Sequence, residues 1–195
     1  MLRRLTKLSV LLASLLMLSL TSFAQSAEFI RYPITTDPEH LNPFTAETIA
    51  IGTVTRNIYE GLVRVDTRTG DVLPAIAESW ELSEDAEGRQ VFTFKIRPGV
   101  LFHEVAGVEI SDREVTADDI LWNYMVALNA DTDISVQASG LDMILGAAEY
   151  TAALQAKVDA SEEVPLIDES LSVAGLEVVD DYTFRITLSA PDRLF

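Results

Sequence analysis

Apolar residues recur at helical spacing in three parts of the chain. Apolar positions three or four residues apart predict a helix over residues 47–60, with Gly61 suited to end it. A second helix is predicted over residues 120–128, behind a Thr116–Asp119 pair spaced like a capping box. A less regular pattern predicts a third helix over residues 141–158. The buried stripe of the first helix consists of Ile51, Val54, Ile58 and Leu62.

Shorter runs alternate between apolar and polar residues and are separated by turn-forming residues, which is typical of hairpins. The clearest run is Val91–Ile96, where every second residue is large and apolar. Strands and helices mix without a regular strand–helix–strand rhythm, so the pattern favours an α+β (mixed α/β) fold over a doubly wound sheet. The predicted hairpins pair Leu62–Val65 with Val72, Trp80–Leu82 with Val91–Ile96, and Leu176–Val179 with Tyr182–Leu188.

The first residues have the organisation of a secretory signal peptide. A basic start is followed by the apolar run Leu8–Leu20 and then by small and polar residues up to Ala27. Thirteen helical residues span only about 20 Å, too little for a bilayer core of roughly 30 Å. We therefore expect residues 1–24 to be a cleaved leader, with cleavage after Ala24 as first choice and after Ser26 as second.

The composition excludes several classes of function. The 195 residues hold 31 acidic and 14 basic side chains, a formal net charge of −17. Loss of the leader removes three cations and no acid, which changes the charge to −20. So acidic a chain is unsuited to nucleic acid, where basic patches carry the affinity. Because there is no cysteine, we expect no disulfide, thiolate metal site or lipid anchor.

No motif for nucleotide binding, nucleophilic catalysis or metal binding is present. The nine glycines lie at least six positions apart, so no Gly-rich phosphate loop and no nucleophile elbow of the G-x-S-x-G type can be drawn. His40 and His103 are far apart, and neither has a partner at ligand spacing. We expect neither cofactor nor metal, and binding becomes the leading class of function by elimination.

Two pairs of carboxylates and two tryptophans are the remaining candidates for chemistry. Asp118–Asp119 and Asp180–Asp181 could serve as acid and base of a hydrolase. Their positions, in a helix's first turn and a hairpin turn, also suit structural roles. Trp80 and Trp122 could stack on a sugar or peptide, but their apolar neighbours favour the core. An exported carboxylate-dependent hydrolase therefore stays open as an alternative, to be tested by whether the acids converge in a cleft.

One long stretch resembles the family 5 extracellular solute-binding proteins, the peptide-binding subunits of bacterial ABC importers. Its motifs are a Tyr-Glu-Gly-Leu element, a Pro-x-x-Ala-x-x-Trp element, an acidic turn, and a Phe-x-x-Arg-x-Gly-Val-x-Phe-His element. The match continues in order over nearly all of the chain behind the leader. The elements fall at Tyr59–Leu62, Pro74–Trp80, Glu84–Gly88 and Phe94–His103, followed by Thr116–Ile120, Gly146–Tyr150 and Gly175–Leu188.

The resemblance implies a type II periplasmic binding protein, in which ligand is held between two lobes that close like a hinge. Residues 25–195 would be an incomplete N-terminal lobe, because family members are far longer, and the second lobe would be missing. The chain also departs from the family at residues 104–114, where an insertion replaces a short turn.

By position, the resemblance places peptide contacts at Glu47, Thr48 and Ile49, with Thr36 near the preceding turn. Glu47 would meet the peptide's amino terminus, although starting the first helix is an equally simple role for it. The implied protein is no enzyme but a periplasmic, monomeric carrier without a lipid anchor, which delivers peptides or related small solutes to a membrane permease. The alternatives are the hydrolase and a truncated interaction module without transport function.

Overall fold

The computed structural model describes four stretches of the chain, residues 32–45, 48–107, 113–129 and 140–192. The chain divides into two units, residues 1–34 and 35–195. Of the first unit, residues 32–34 are described, and they are exposed and belong to no helix or strand. The predicted leader lies outside the described residues. Within the described stretches, no helix is both long and apolar enough to cross a membrane.

The described residues contain six strands: β1 (Val63–Val65), β2 (Val72–Pro74), β3 (Ala77–Glu84), β4 (Gln90–Ile96), β5 (Leu176–Asp180) and β6 (Thr183–Thr187). β1 and β2 form a two-stranded antiparallel sheet, and the other four form an antiparallel sheet in the order β3-β4-β6-β5. All three predicted hairpins are confirmed. The described helices are α1 (Ile49–Thr55), α2 (Ala117–Ala127) and α3 (Ala147–Asp159), with short 3-10 helices at Pro43–Thr45 and Leu141–Met143.

One face of the four-stranded sheet carries the core. Phe94 lies opposite Phe184, and Phe92 lies opposite Ile186, so these side chains share a face because directly paired residues point the same way. α2 packs on this sheet through β5 and β6. The combination of antiparallel sheets and packed helices confirms the predicted α+β class. The largest fully buried side chains are Phe184, Ile96, Ile144, Leu154, Ile186 and Leu188.

The first helix is shorter than predicted. α1 ends at Thr55, and neither Ile58 nor Gly61 belongs to it. Five of its seven residues are β-branched, which lowers helix propensity. Directly behind it, the amides of residues 57–59 donate to carbonyls three or four residues back, in turns rather than in a continued helix. The expected helix over residues 47–60 is therefore wrong in its second half. Pairing with a distant segment begins at Gly61, whose carbonyl oxygen accepts from Ile76 N–H at 3.2 Å.

The helix predicted over residues 141–158 is interrupted near its start. Gly146 has a φ of 82°, and α3 begins only after it. The amide of Leu145 donates to Thr187 O at 2.9 Å, and its carbonyl accepts from Gly175 N–H at 2.7 Å. Leu145 thus bridges the end of β6 and the segment before β5. These long-range hydrogen bonds pull the chain out of the helix.

Hydrogen bonds confirm the capping box predicted for α2 and also join the two ends of the segment 104–114, whose residues 108–112 lie outside the described residues. The Thr116 amide donates to Asp119 Oδ2 at 2.8 Å, which is the reciprocal half of a capping box. The predicted insertion at residues 104–114 is closed at its base, where Phe102 N–H donates to Arg113 O at 2.9 Å. The Arg113 guanidinium also lies over the Phe102 ring, 4.9 Å from its centroid.

Candidate functional site

A groove of about 290 Å3 opens on the side of the molecule formed by α2, the chain after α1, and the two 3-10 helices. Its walls are mostly aromatic and apolar, and they come from segments far apart in sequence. The residues lining it are Pro43, Phe44, Tyr59, Glu60, Asn123, Tyr124, Ala127 and Leu141.

Hydrogen bonds and ring contacts fix the first two aromatic walls. The Phe44 amide donates to Asn42 Oδ1 at 3.0 Å, which holds the 3-10 turn that carries the ring. The Phe44 ring meets that of Trp122 edge to face, with centroids 6.4 Å apart. The hydroxyl of Tyr59 donates to Leu41 O at 3.2 Å. Both rings are thus held from outside the groove and leave it open.

The third aromatic wall belongs to the core as well as to the groove. Tyr124 stacks on Phe184 with ring centroids 5.8 Å apart and an interplanar angle of 18°. Burial raises the pKa of Tyr124 to about 12, because the phenolate would lose hydration. The ring therefore stays neutral at physiological pH. Of the eight described residues that line the groove, only Glu60 carries a charge.

Two of the four ligand-contact residues predicted by resemblance, Thr48 and Ile49, lie at the start of α1. Thr48 is the N-cap, and its Oγ1 accepts from Ile51 N–H at 3.2 Å. Ile49 is 87% exposed, and Thr36 lies exposed in a bend. Glu47 lies outside the described residues. α1, which begins at Ile49, contacts the 3-10 helix that carries the groove residue Phe44.

The groove is not evident from the sequence. The predicted helix over residues 47–60 has Tyr59 and Glu60 at its end, and the pattern of apolar neighbours predicts that Trp80 and Trp122 lie in the core. The second expectation is wrong, since Trp80 is 36% and Trp122 is 46% exposed. Trp80 lies on the edge strand β3, while Trp122 contacts the groove residue Phe44. Aromatic residues on either side of a predicted helix were the available signal, but only the fold shows which of them meet.

The acidic pairs have structural roles. Burial alone would raise the pKa of the Asp119 carboxyl, but hydrogen bonds from Arg113 and Thr116 outweigh it and lower that pKa. The Tyr182 amide, donating to Asp180 Oδ1 at 2.9 Å, lowers the pKa of Asp180. Asp118 and Asp181 are exposed. A general acid of a hydrolase needs a raised pKa, so these lowered values give no support to a catalytic carboxylate pair.

No metal-binding arrangement occurs in the described part of the chain. No three His, Cys, Asp or Glu side chains there come close enough to hold an ion. His40 and His103 are both exposed. The chemistry that the described residues offer is therefore the binding of an apolar or amphipathic group in an aromatic groove with one carboxylate at its side.

The α+β fold with an open aromatic groove is the architecture of a binding module, and comparison with known proteins identifies its family. Residues 71–195 match the family described as bacterial extracellular solute-binding proteins, family 5 Middle. The chain belongs to this family of solute-binding proteins.

Two relatives and one solved structure show how far the similarity extends. The chain is 30% identical over 161 residues to the oligopeptide-binding protein AmiA of Streptococcus pneumoniae, covering 83% of this chain and 21% of that protein. It is 28% identical over 140 residues to the heme-binding protein A of Haemophilus influenzae, covering 72% and 21% respectively.

The structure of OppA from Burkholderia pseudomallei superposes with a TM-score of 0.57 at 21% identity, over 83% of this chain and 27% of that one. This places the chain in the two-lobe type II binding-protein fold, as expected from its motifs. The chain therefore spans about a fifth to a quarter of the proteins it matches.

Proposed function

We propose that this chain is part of the substrate-binding component of a bacterial ABC importer, which captures peptides or related small solutes and delivers them to a membrane permease. The observation that carries the proposal is the 30% identity, over 83% of the chain, to a protein named for oligopeptide binding. Residues 25–195 supply an incomplete N-terminal lobe, and the rest of the full-length protein supplies the second.

The geometry of the described residues supports capture by binding alone. The groove is open and lined by rings that are already held in place, so a ligand meets a preformed surface. Closure of a second lobe over that surface excludes water and completes the contacts with the ligand. The protein acts as a monomeric carrier, neither enzyme nor interaction module.

Export follows from the leader. We propose that signal peptidase removes residues 1–24 and that the product, without a lipid anchor, works in the periplasm. N-terminal sequencing of the secreted protein tests this: the expected first residue is Gln25, and Ala27 would indicate the second cleavage site. A mature protein that retains Met1 would contradict the proposal.

The peptide contacts are proposed at Thr36, Glu47, Thr48 and Ile49. Replacement Glu47→Gln should weaken binding of peptides with a free amino terminus and leave N-acetylated peptides unaffected, because the neutral amide loses the charge pairing. Glu39→Gln is the matched control, since Glu39 is an exposed acid in the same segment. Equal losses for both peptide types would remove Glu47 from the site.

Calorimetry on the full-length protein tests the function as a whole. Titration with pools of dipeptides, tripeptides and longer peptides should give saturable binding, and heme and oligosaccharide pools serve as competitors of other chemistry. Binding of heme alone would keep the transport role but replace the solute. Absence of binding to every pool would overturn the proposal.

A further inference from the structure

The groove has the size of a side-chain pocket. At about 290 Å3 it lies just below the range of roughly 300–1,000 Å3 that holds whole drug-sized ligands. A peptide main chain would therefore pass outside it, and one side chain would enter. This inference rests on the proposed function: if the full-length protein binds peptides, the walls of the groove select the side chain that enters it.

The walls favour an amphipathic occupant. Phe44, Tyr59 and Tyr124 offer aromatic surface on different sides, and Tyr59 is half exposed. Lysine and arginine carry apolar stems that lie along such surface while their charged ends reach a polar group or water. Aromatic faces also attract a cation directly, through their quadrupole.

The charge at the groove is available for a ligand. Glu60 is exposed, and it forms no ion pair with any described residue. Arg56 and Arg64, each four positions away, are the cations nearest to Glu60 along the chain, and neither forms an ion pair with it. The Arg56 guanidinium lies beside its own helix, 3.8 Å from where a Cβ on Gly52 would stand. No other lining residue is charged, so the groove combines apolar rings with one unneutralised carboxylate.

We propose that this groove binds a lysine or arginine side chain of the transported peptide, with the stem along Phe44, Tyr59 and Tyr124 and the cationic end at Glu60. The net charge of residues 25–195, −20 once the leader is removed, acts in the same direction, because an acidic protein attracts cationic ligands and repels anionic ones. Peptides with an acidic residue at the same position are disfavoured by the same carboxylate.

Calorimetry with matched tripeptides on the full-length protein tests the proposal. Each position of an alanine tripeptide is replaced in turn by lysine, norleucine or glutamate, where norleucine keeps the stem and removes the charge. At one position lysine should bind about tenfold more tightly than norleucine, and glutamate more weakly than both. The lysine preference should shrink as ionic strength rises.

Glu60→Gln should abolish the preference for lysine over norleucine, and continued saturable binding of the norleucine peptide shows that the variant is folded. Glu78→Gln, an exposed acid on β3, is the matched control and should keep the preference. If tripeptides bind without any preference for lysine, for example because another part of the full-length chain fills the groove, this inference is overturned and the proposed function stands. A lysine preference that survives Glu60→Gln also overturns this inference alone. If no tripeptide or longer peptide binds, both this inference and the proposed function are overturned.

Discussion

The ring of Tyr124 lies parallel to that of Phe184, at 18° and with centroids 5.8 Å apart. Phe184 is completely buried in the centre of the four-stranded sheet, whereas Tyr124 also lines the groove. The stack therefore couples the wall of the candidate binding site to the core of the domain. A wall supported in this way keeps its shape without ligand, which lowers the entropy lost on binding.

Tyr124 should make stability fall at alkaline pH. Its folded-state pKa of about 12 exceeds the unfolded value of about 10, so its neutral form is favoured by folding. This contribution is complete below pH 10 and is lost as the pH rises toward 12, which lowers the free energy of unfolding by about 3 kcal/mol. Urea unfolding of the wild type and of Tyr124→Phe, at a series of pH values from 9 upward, should show a flatter decline for the variant. Parallel declines would contradict the assignment.

Gly175 should tolerate no side chain. A Cβ at this position would lie 2.5 Å from Thr187 O and 2.8 Å from Leu145 N, both backbone atoms that are held by hydrogen bonds. Gly175→Ala should lower the free energy of unfolding by about 3 kcal/mol. In the control Gly70→Ala, the added Cβ has no atom within 4 Å. Only the positive φ should then lower the free energy of unfolding, by about 1 kcal/mol. Equal losses in denaturant titrations would show that close packing is not the cause.

Gly52 should behave in the opposite way. It lies inside α1, and a Cβ there would meet only the end of the Arg56 side chain, at an ordinary contact distance of 3.8 Å. Gly52→Ala should raise the free energy of unfolding by about 0.5–1 kcal/mol, because alanine loses less backbone entropy in a helix. A higher thermal midpoint is the expected observation. A lower one would indicate that α1 needs the flexibility of glycine.

The Asp118–Asp119 pair should separate into one important and one dispensable carboxylate. Asp119 accepts from the Thr116 amide and pairs with Arg113, whereas Asp118 is exposed. Asp119→Ala should cost about 1 kcal/mol through loss of the cap, and Asp118→Ala only a few tenths through the helix dipole. Thermal unfolding of the two variants compares them directly. Equal effects would remove the capping role of Asp119.

Protonation of Asp168 should lower the stability of the fold in acid. Hydrogen bonds from Lys157 and Ser170 hold the pKa of this carboxyl at about 2, below the unfolded value of about 4. Its stabilising contribution is therefore complete above pH 4 and is lost as the pH falls through 2. The thermal midpoint of Asp168→Asn should depend less on pH in this range than that of the wild type. Asp142→Asn, an exposed acid, serves as control and should follow the wild type.

Features that depend on neighbouring residues were predictable from the sequence. The turn around Asp85 shows why: Asp85 Oδ1 accepts from the amides of Glu87 and Arg89, so the turn holds itself together. The capping pair Thr116–Asp119 is equally local. For the same reason the α+β class, the three hairpins and α2 followed from spacing alone, and motifs along the chain indicated the family.

The sequence by itself thus determined which segments are strands, where α2 begins and how the hairpins turn. Only the tertiary structure decided that Gly61, beyond α1, pairs with Ile76, and where the third helix breaks, because Leu145 forms backbone hydrogen bonds with Thr187 and Gly175. It also decided that Trp122 remains half exposed beside Phe44. The groove also depends on the tertiary structure. It joins residues that are distant in sequence, and no local pattern encodes which distant partners compete for a backbone hydrogen bond or share a surface.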